Sequence, residues 1–277
     1  MLAPHRLDAL IDLWFDEDIG AGDLTATLMI AAGAQAAFVM RAREPLVLAG
    51  AGVAARVFTR FDASITVTGH AEDGTHLPRG GAVMEVSGPA RSLLTAERTA
   101  LNIVQHLSGI ATLTARYVEA ISGTGARLID TRKTTPGLRE LEKYAVRCGG
   151  GNNHRLRLDG GVLIKDNHLT VSGDIGAAIA TARAGAPLLT KVEVECDTLL
   201  QVEAALAARA DVILLDNMSL EDLRTAVRLV GGRIPLEASG GVHLETIGAI
   251  AATGVDYIST SRITQAAPAP DIGLDEL

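Results

Sequence analysis

The chain has 277 residues with 25 Lys and Arg against 33 Asp and Glu, and the net charge of −8 excludes a nucleic-acid binder that works through a general basic field. Apolar residues make up 48% of the chain but aromatics only 3%, so the core is built from Ala, Val, Leu and Ile and there is no platform for base stacking. No apolar run approaches the ~20 residues that span a bilayer, and Cys148 and Cys196 form neither a metal-type spacing nor a disulfide framework. The N-terminal residues lead into a short amphipathic stretch rather than a signal peptide. The expectation is a cytoplasmic protein with reduced thiols and neither a nucleic-acid nor a membrane partner.

Residues 7–15 read as a short helix, followed by Gly20-Ala21-Gly22-Asp23-Leu24-Thr25. That loop is either an anion or metal loop or, the preferred reading, a Gly-ended helix followed by one capped by Asp23 or Thr25. Between 36 and 86, short apolar runs such as Ile65-Thr66-Val67-Thr68 and Val83-Met84-Glu85-Val86 alternate with Gly-rich turns, the pattern of a small sheet. From 92 to 121 apolar residues recur at a 3.6-residue period, which predicts a helix, with a break expected at Ser108-Gly109.

Beyond this the pattern becomes regular. Apolar runs start near 128, 162, 191, 212, 235 and 257, and helical stretches over 175–184, 199–208, 220–230 and 244–253 lie between them. Strand, helix, strand at this period predicts parallel βα units. Six or seven such units after a β-rich beginning favour a barrel over an open doubly wound sheet.

Ionisable residues follow these runs: Asp130-Thr131-Arg132-Lys133, Lys165-Asp166-Asn167-His168, Glu193 and Glu195, Asp216-Asn217, and Glu237-Ala238-Ser239-Gly240-Gly241, with Ser259-Thr260-Ser261 after the last. In a parallel barrel the C-terminal strand ends meet on one rim, where the catalytic groups of such barrels lie. The charges are also sorted. From Thr131 to Lys165 eight positive residues (Arg132, Lys133, Arg139, Lys143, Arg147, Arg155, Arg157, Lys165) face three negative ones, whereas from Lys191 to Asp256 five positive residues face eleven negative. One half of the rim is suited to anions and the other to a divalent cation, as a carboxylate substrate and a metal–diphosphate complex require.

The run from Thr131 to Arg139, then Lys143 to Gly151 with His154-Arg155, resembles quinolinate phosphoribosyltransferase. Leu163 to His168, Val192 to Glu195, Leu214 to Asn217 and Glu237 to Gly241 continue the likeness in order, as do Glu97 to Asn102 and the Gly20 to Thr25 loop, over nearly the whole chain. The resemblance implies an N-terminal open-faced α/β sandwich over 1–108 completed by the tail 268–277, and an incomplete seven-stranded α/β barrel over 109–267. It implies phosphoribosyl transfer from 5-phosphoribosyl 1-diphosphate to quinolinate, with decarboxylation to nicotinate mononucleotide, and a homodimer or larger homo-oligomer in which Arg98 reaches the neighbour's site. Carried over residue by residue, Arg132, His154, Arg155 and Lys165 match the quinolinate pocket and Lys133 a position near phosphoribosyl diphosphate. Glu195 and Asp216 match the residues near Mg²⁺ and ribose, and Ser239-Gly240-Gly241 matches the 5′-phosphate loop. The final turn departs from the family pattern: Ser261 stands where the family has glycine and Gln265 where it has histidine. Read alone, Lys165 at a strand end also fits a Schiff-base barrel aldolase. A third reading is a non-catalytic or molybdenum-transport-linked relative that binds a small anion.

Overall fold

The computed structural model describes residues 3–277; Met1 and Leu2 lie outside the described residues. Its strands are β1 (Gln35–Ala42), β2 (Leu46–Val47), β3 (Thr66–Thr68), β4 (His76–Leu77), β5 (Ala82–Pro89), β6 (Arg127–Ile129), β7 (Val162–Ile164), β8 (Val192–Cys196), β9 (Val212–Asp216), β10 (Leu236–Ser239), β11 (Tyr257–Ser259) and β12 (Ile272–Glu276). The chain divides into two compact units. One holds the chain up to Ala115 with Thr135–Gly150 and Ala266–Leu277, and the other holds Arg116–Thr134 with Gly151–Gln265. Thr135–Gly150 thus groups with the first unit, although it lies within the 109–267 span assigned to the barrel from sequence.

The first unit is built on an antiparallel sheet in the order β12-β1-β5-β3. The C-terminal tail is part of it, with Phe38 opposite Glu276 and Ala42 opposite Ile272. Met40 and Met84 face each other across β1 and β5 and are fully buried. Helix Ala51–Phe61 buries Val53, Ala54, Val57 and Phe58, a one-sided apolar stripe at helical spacing. The loop before helix Leu24–Met29 is a cap: the Asp23 carboxylate accepts the Ala26 N–H at 2.8 Å.

The expected break at Ser108-Gly109 does not occur; Ala90–Ala120 is one continuous helix. The two small residues serve close approach instead. Ser108 Oγ accepts the Ala49 N–H at 3.1 Å, and a Cβ at Gly109 would collide with the Pro268 carbonyl. Glycine costs a helix interior about 1 kcal/mol relative to alanine, a local cost that the packing of the tail offsets.

In the second unit all six expected runs are strands of one parallel sheet, ordered β6-β11-β10-β9-β8-β7. Helices Ile175–Gly185, Leu199–Ala207, Leu220–Val230 and Leu244–Ala251 join successive strands. Leu220–Val230 shows why the period was readable: Ser219 caps its start by accepting the Asp222 N–H, Leu223, Ala226 and Val230 are buried, and Gly231 ends it in the left-handed region. At the free edge of β6, Asn152 makes a single parallel bridge to Ile129, within a Gly-rich segment that does not extend into a full strand.

Whether this sheet is open or closed is decided by His154, two residues past that bridge. In a flat sheet of this order β6 and β8 lie four spacings apart, about 19 Å. His154 Nε2 nevertheless lies 2.9 Å from Glu193 Oε2 on β8, so the sheet curls into an incomplete barrel. Among the described residues, no helix is long and apolar enough to cross a membrane.

Candidate active site at the barrel mouth

The C-terminal strand ends enclose a cavity of about 780 Å³, a size suited to a small-molecule substrate. Arg132, Lys133, His154, Arg155, Lys165, Glu195, Asp216, Ser239, Gly240, Gly241 and Ser261 all line it. Arg98 does not; it lies exposed on helix Ala90–Ala120. The basic stretch seen in the sequence is divided by the fold. Arg132, Lys133, Arg155 and Lys165 reach the cavity, while Arg139, Lys143 and Arg147 belong to helix Arg139–Cys148 of the first unit, where Arg147 sits 5.6 Å from the Tyr144 ring centre. In the departing final turn, Ser261 and Arg262 line the cavity and Gln265 is exposed.

The cations are held in different ways. Lys165 Nζ lies 2.5 Å from Glu195 Oε2, a charge-assisted bond between the ends of neighbouring strands. Arg155 donates from Nη1 to the Gly161 carbonyl at 2.8 Å. Burial, and then the nearby charge of Arg132, push its guanidinium below the ordinary value, while Glu193 opposes them. Crowded, partly desolvated cations of this kind favour an arriving carboxylate.

Below them the barrel interior, where apolar side chains are usual, contains buried polar groups. Asp130 is fully buried and accepts the His154 N–H at 2.9 Å and the Asn153 side-chain N–H at 2.6 Å, which fixes the loop that carries His154. His154 Nε2 lies 2.9 Å from Glu193 Oε2 and 3.6 Å from Glu237 Oε2. Burial, followed by the charge of Glu193, pushes the Glu237 carboxyl well above the usual range.

The donor atoms of His154, Glu193 and Glu237 lie within 4.8 Å of one another, as in a small metal site. The ring's other nitrogen argues against that use. Nδ1 accepts the Arg155 N–H at 2.7 Å, so the proton is on Nε2, the atom that would have to ligate the metal. Sequence reasoning noted Glu193 and Glu237 as strand-end residues but gave them no role. The signal was the spacing: Glu193 and Glu195 are two apart on one strand and share a face.

The opposite wall is acidic and Gly-rich. Asn217, in the left-handed region at φ 53°, donates its side-chain N–H to Asp216 Oδ2 at 2.7 Å and holds that carboxylate at the rim. Gly240 and Gly241 are left-handed in succession, at φ 86° and 60°, a tight turn that residues with a Cβ rarely adopt. A Cβ at Gly240 would collide with the Asn217 amide. Gly240→Ala is therefore expected to destabilise the protein by about 1–3 kcal/mol, seen as a lower midpoint in denaturant unfolding; an unchanged midpoint would contradict this packing.

Family models match both parts of the chain: "Quinolinate phosphoribosyl transferase, N-terminal domain" over residues 23–108 and the corresponding C-terminal domain over 110–275. The chain is 46% identical to the carboxylating nicotinate-nucleotide pyrophosphorylase of Mycobacterium leprae, covering 99% of this chain and 100% of the relative. It is 42% identical to the probable carboxylating nicotinate-nucleotide pyrophosphorylase of Bacillus subtilis, covering 98% and 93%. The solved nicotinate-nucleotide pyrophosphorylase from Francisella tularensis superimposes with a TM-score of 0.96 at 40% identity, covering 100% of this chain and 98% of that one. Ordered motifs, a sheet-plus-barrel fold and a cation-lined mouth thus agree with these likenesses, and the chain belongs to the quinolinate phosphoribosyltransferase family.

Proposed function

We propose that this chain transfers the phosphoribosyl group of 5-phosphoribosyl 1-diphosphate to the ring nitrogen of quinolinate and releases diphosphate, carbon dioxide and nicotinate mononucleotide, a step of NAD biosynthesis. The observation that carries this reading is the convergence of Arg132, Lys133, Arg155 and Lys165 with Glu195 and Asp216 around one cavity, since two polyanions need both kinds of group there. Guanidinium forks suit the two adjacent ring carboxylates. The Ser239-Gly240-Gly241 turn suits the 5′-phosphate, with Ser261 beside it, and Lys133 suits the diphosphate.

Glu195 and Asp216 are hard oxygen donors at the ends of neighbouring strands, and they fit a Mg²⁺ that takes few protein ligands and completes its shell with phosphate and water. Bound there, Mg²⁺ would neutralise charge on the departing diphosphate. The protein's own part is positioning. The arginines hold quinolinate with its nitrogen toward ribose C1. The C1–oxygen bond breaks with its electron pair leaving on diphosphate, and Glu195 and Asp216 favour the positive charge that grows on the ribose. The nitrogen lone pair closes on C1. The bond to the neighbouring carboxylate then breaks, and the cationic nitrogen stabilises the pair left on carbon until a proton is added.

Arg98, exposed on the first unit, is assigned to a second subunit's pocket, and the working form is a homodimer or larger homo-oligomer. Quinolinate, phosphoribosyl diphosphate and Mg²⁺ are expected to give nicotinate mononucleotide by mass spectrometry, and chelation of Mg²⁺ to stop it. Product formed equally well with a chelator would remove the metal from the account, and no product at all would remove the function.

A further inference from the structure

We propose that Glu193 is a positioning residue, which holds Arg155 in the substrate pocket through the ring of His154. The inference rests on the reading of Arg155 as a quinolinate ligand. Its basis is an unbroken line of hydrogen bonds. Glu193 Oε2 accepts from His154 Nε2 at 2.9 Å, and His154 Nδ1 accepts the backbone N–H of Arg155 at 2.7 Å. The backbone of His154 is tied separately to buried Asp130. Arg155 is fixed again at its far end, by the Gly161 carbonyl.

Only one tautomer satisfies both bonds of the ring. An acceptor at Nδ1 carries no proton, so Nε2 must carry it and must face an acceptor, which Glu193 provides. With Glu193 removed, the ring loses the partner that fixes its tautomer. A ring carrying its proton on Nδ1 would set two N–H groups against each other at Arg155, and the Arg155 backbone would shift. A carboxylate within a barrel is costly to bury and contributes little to stability in its own right. The role of Glu193 is orientation, as a second layer of hydrogen bonds orients catalytic and metal-binding histidines. His154 then acts on quinolinate through Arg155, since both ring nitrogens are committed elsewhere.

Steady-state kinetics of Glu193→Ala are expected to show KM for quinolinate raised about tenfold or more, with kcat and KM for phosphoribosyl diphosphate within about twofold. Glu193→Gln, whose side-chain carbonyl also accepts from Nε2, should recover most of that loss. Equal loss in both variants, or an unchanged quinolinate KM in Glu193→Ala, would overturn the proposal. Nitrogen NMR of the wild-type imidazole keeps the test open if Glu193→Ala does not fold. A proton on Nε2 alone supports the line of bonds, and a proton on Nδ1 refutes it. Arg155→Ala separates the two levels. If it raises quinolinate KM while Glu193→Ala does not, the relay fails and the pocket stands; if it leaves that KM unchanged, the pocket reading fails and the relay with it.

Discussion

Lys165→Ala is expected to lower kcat/KM for quinolinate by about 100-fold or more, the scale seen when a preorganised charged or hydrogen-bonding group is removed from an active site. Two losses combine. The pocket loses a cation that faces a dianionic substrate, and Glu195 loses the ammonium 2.5 Å from its Oε2, so an unpaired carboxylate is left where anions must bind. Lys165→Arg restores charge but not shape, because a planar fork does not replace a compact ammonium, and only partial recovery is expected. Initial rates over a grid of both substrates test this. A Lys165→Ala enzyme within threefold of wild type would show that the Lys165–Glu195 pair lies outside the working site.

Arg132→Ala should lower kcat/KM for quinolinate by about 30-fold or more, the equivalent of roughly 2 kcal/mol for a carboxylate left without its partner. The loss should appear mainly in quinolinate KM, since the guanidinium holds substrate and transition state alike. Its charge also acts on Arg155, which is pushed below its ordinary value by burial first and by Arg132 next. The two arginines are therefore coupled, and the loss in the double variant with Arg155→Ala should differ measurably from the sum of the two single losses. Normal turnover by Arg132→Ala would count against the pocket as assigned.

Much of this arrangement was legible in the sequence because a barrel repeats. Each apolar run carries its ionisable or polar residues at its C-terminal end, so Asp130, Lys165, Glu195, Asp216 and Ser239 read from the sequence alone as members of one rim. Barrel closure was less legible; period alone does not separate a closed sheet from an open one, and the contact between His154 and Glu193 decides it. The sequence predicts a break at Ser108-Gly109 where the helix is continuous, because small residues serve close packing as readily as they break helices, and only the Pro268 carbonyl reveals which. The basic stretch from Thr131 to Lys165 looked like one cluster, although helix Arg139–Cys148 takes three of its cations into the other unit. The pairing of Glu193, Glu237 and His154 was hidden for a different reason. A hydrogen-bond line between residues 39 positions apart leaves no local pattern, and the ring's tautomer is known only once both its partners are in place.

In the proposed reaction, nitrogen attack on ribose comes before loss of the carboxylate. Quinolinate carrying isotopic carbon in the carboxylate next to the ring nitrogen tests this order. Labelled carbon dioxide is expected only when phosphoribosyl diphosphate is present, in equal amount to the diphosphate released. Labelled carbon dioxide without phosphoribosyl diphosphate, or diphosphate release without labelled carbon dioxide, would overturn it.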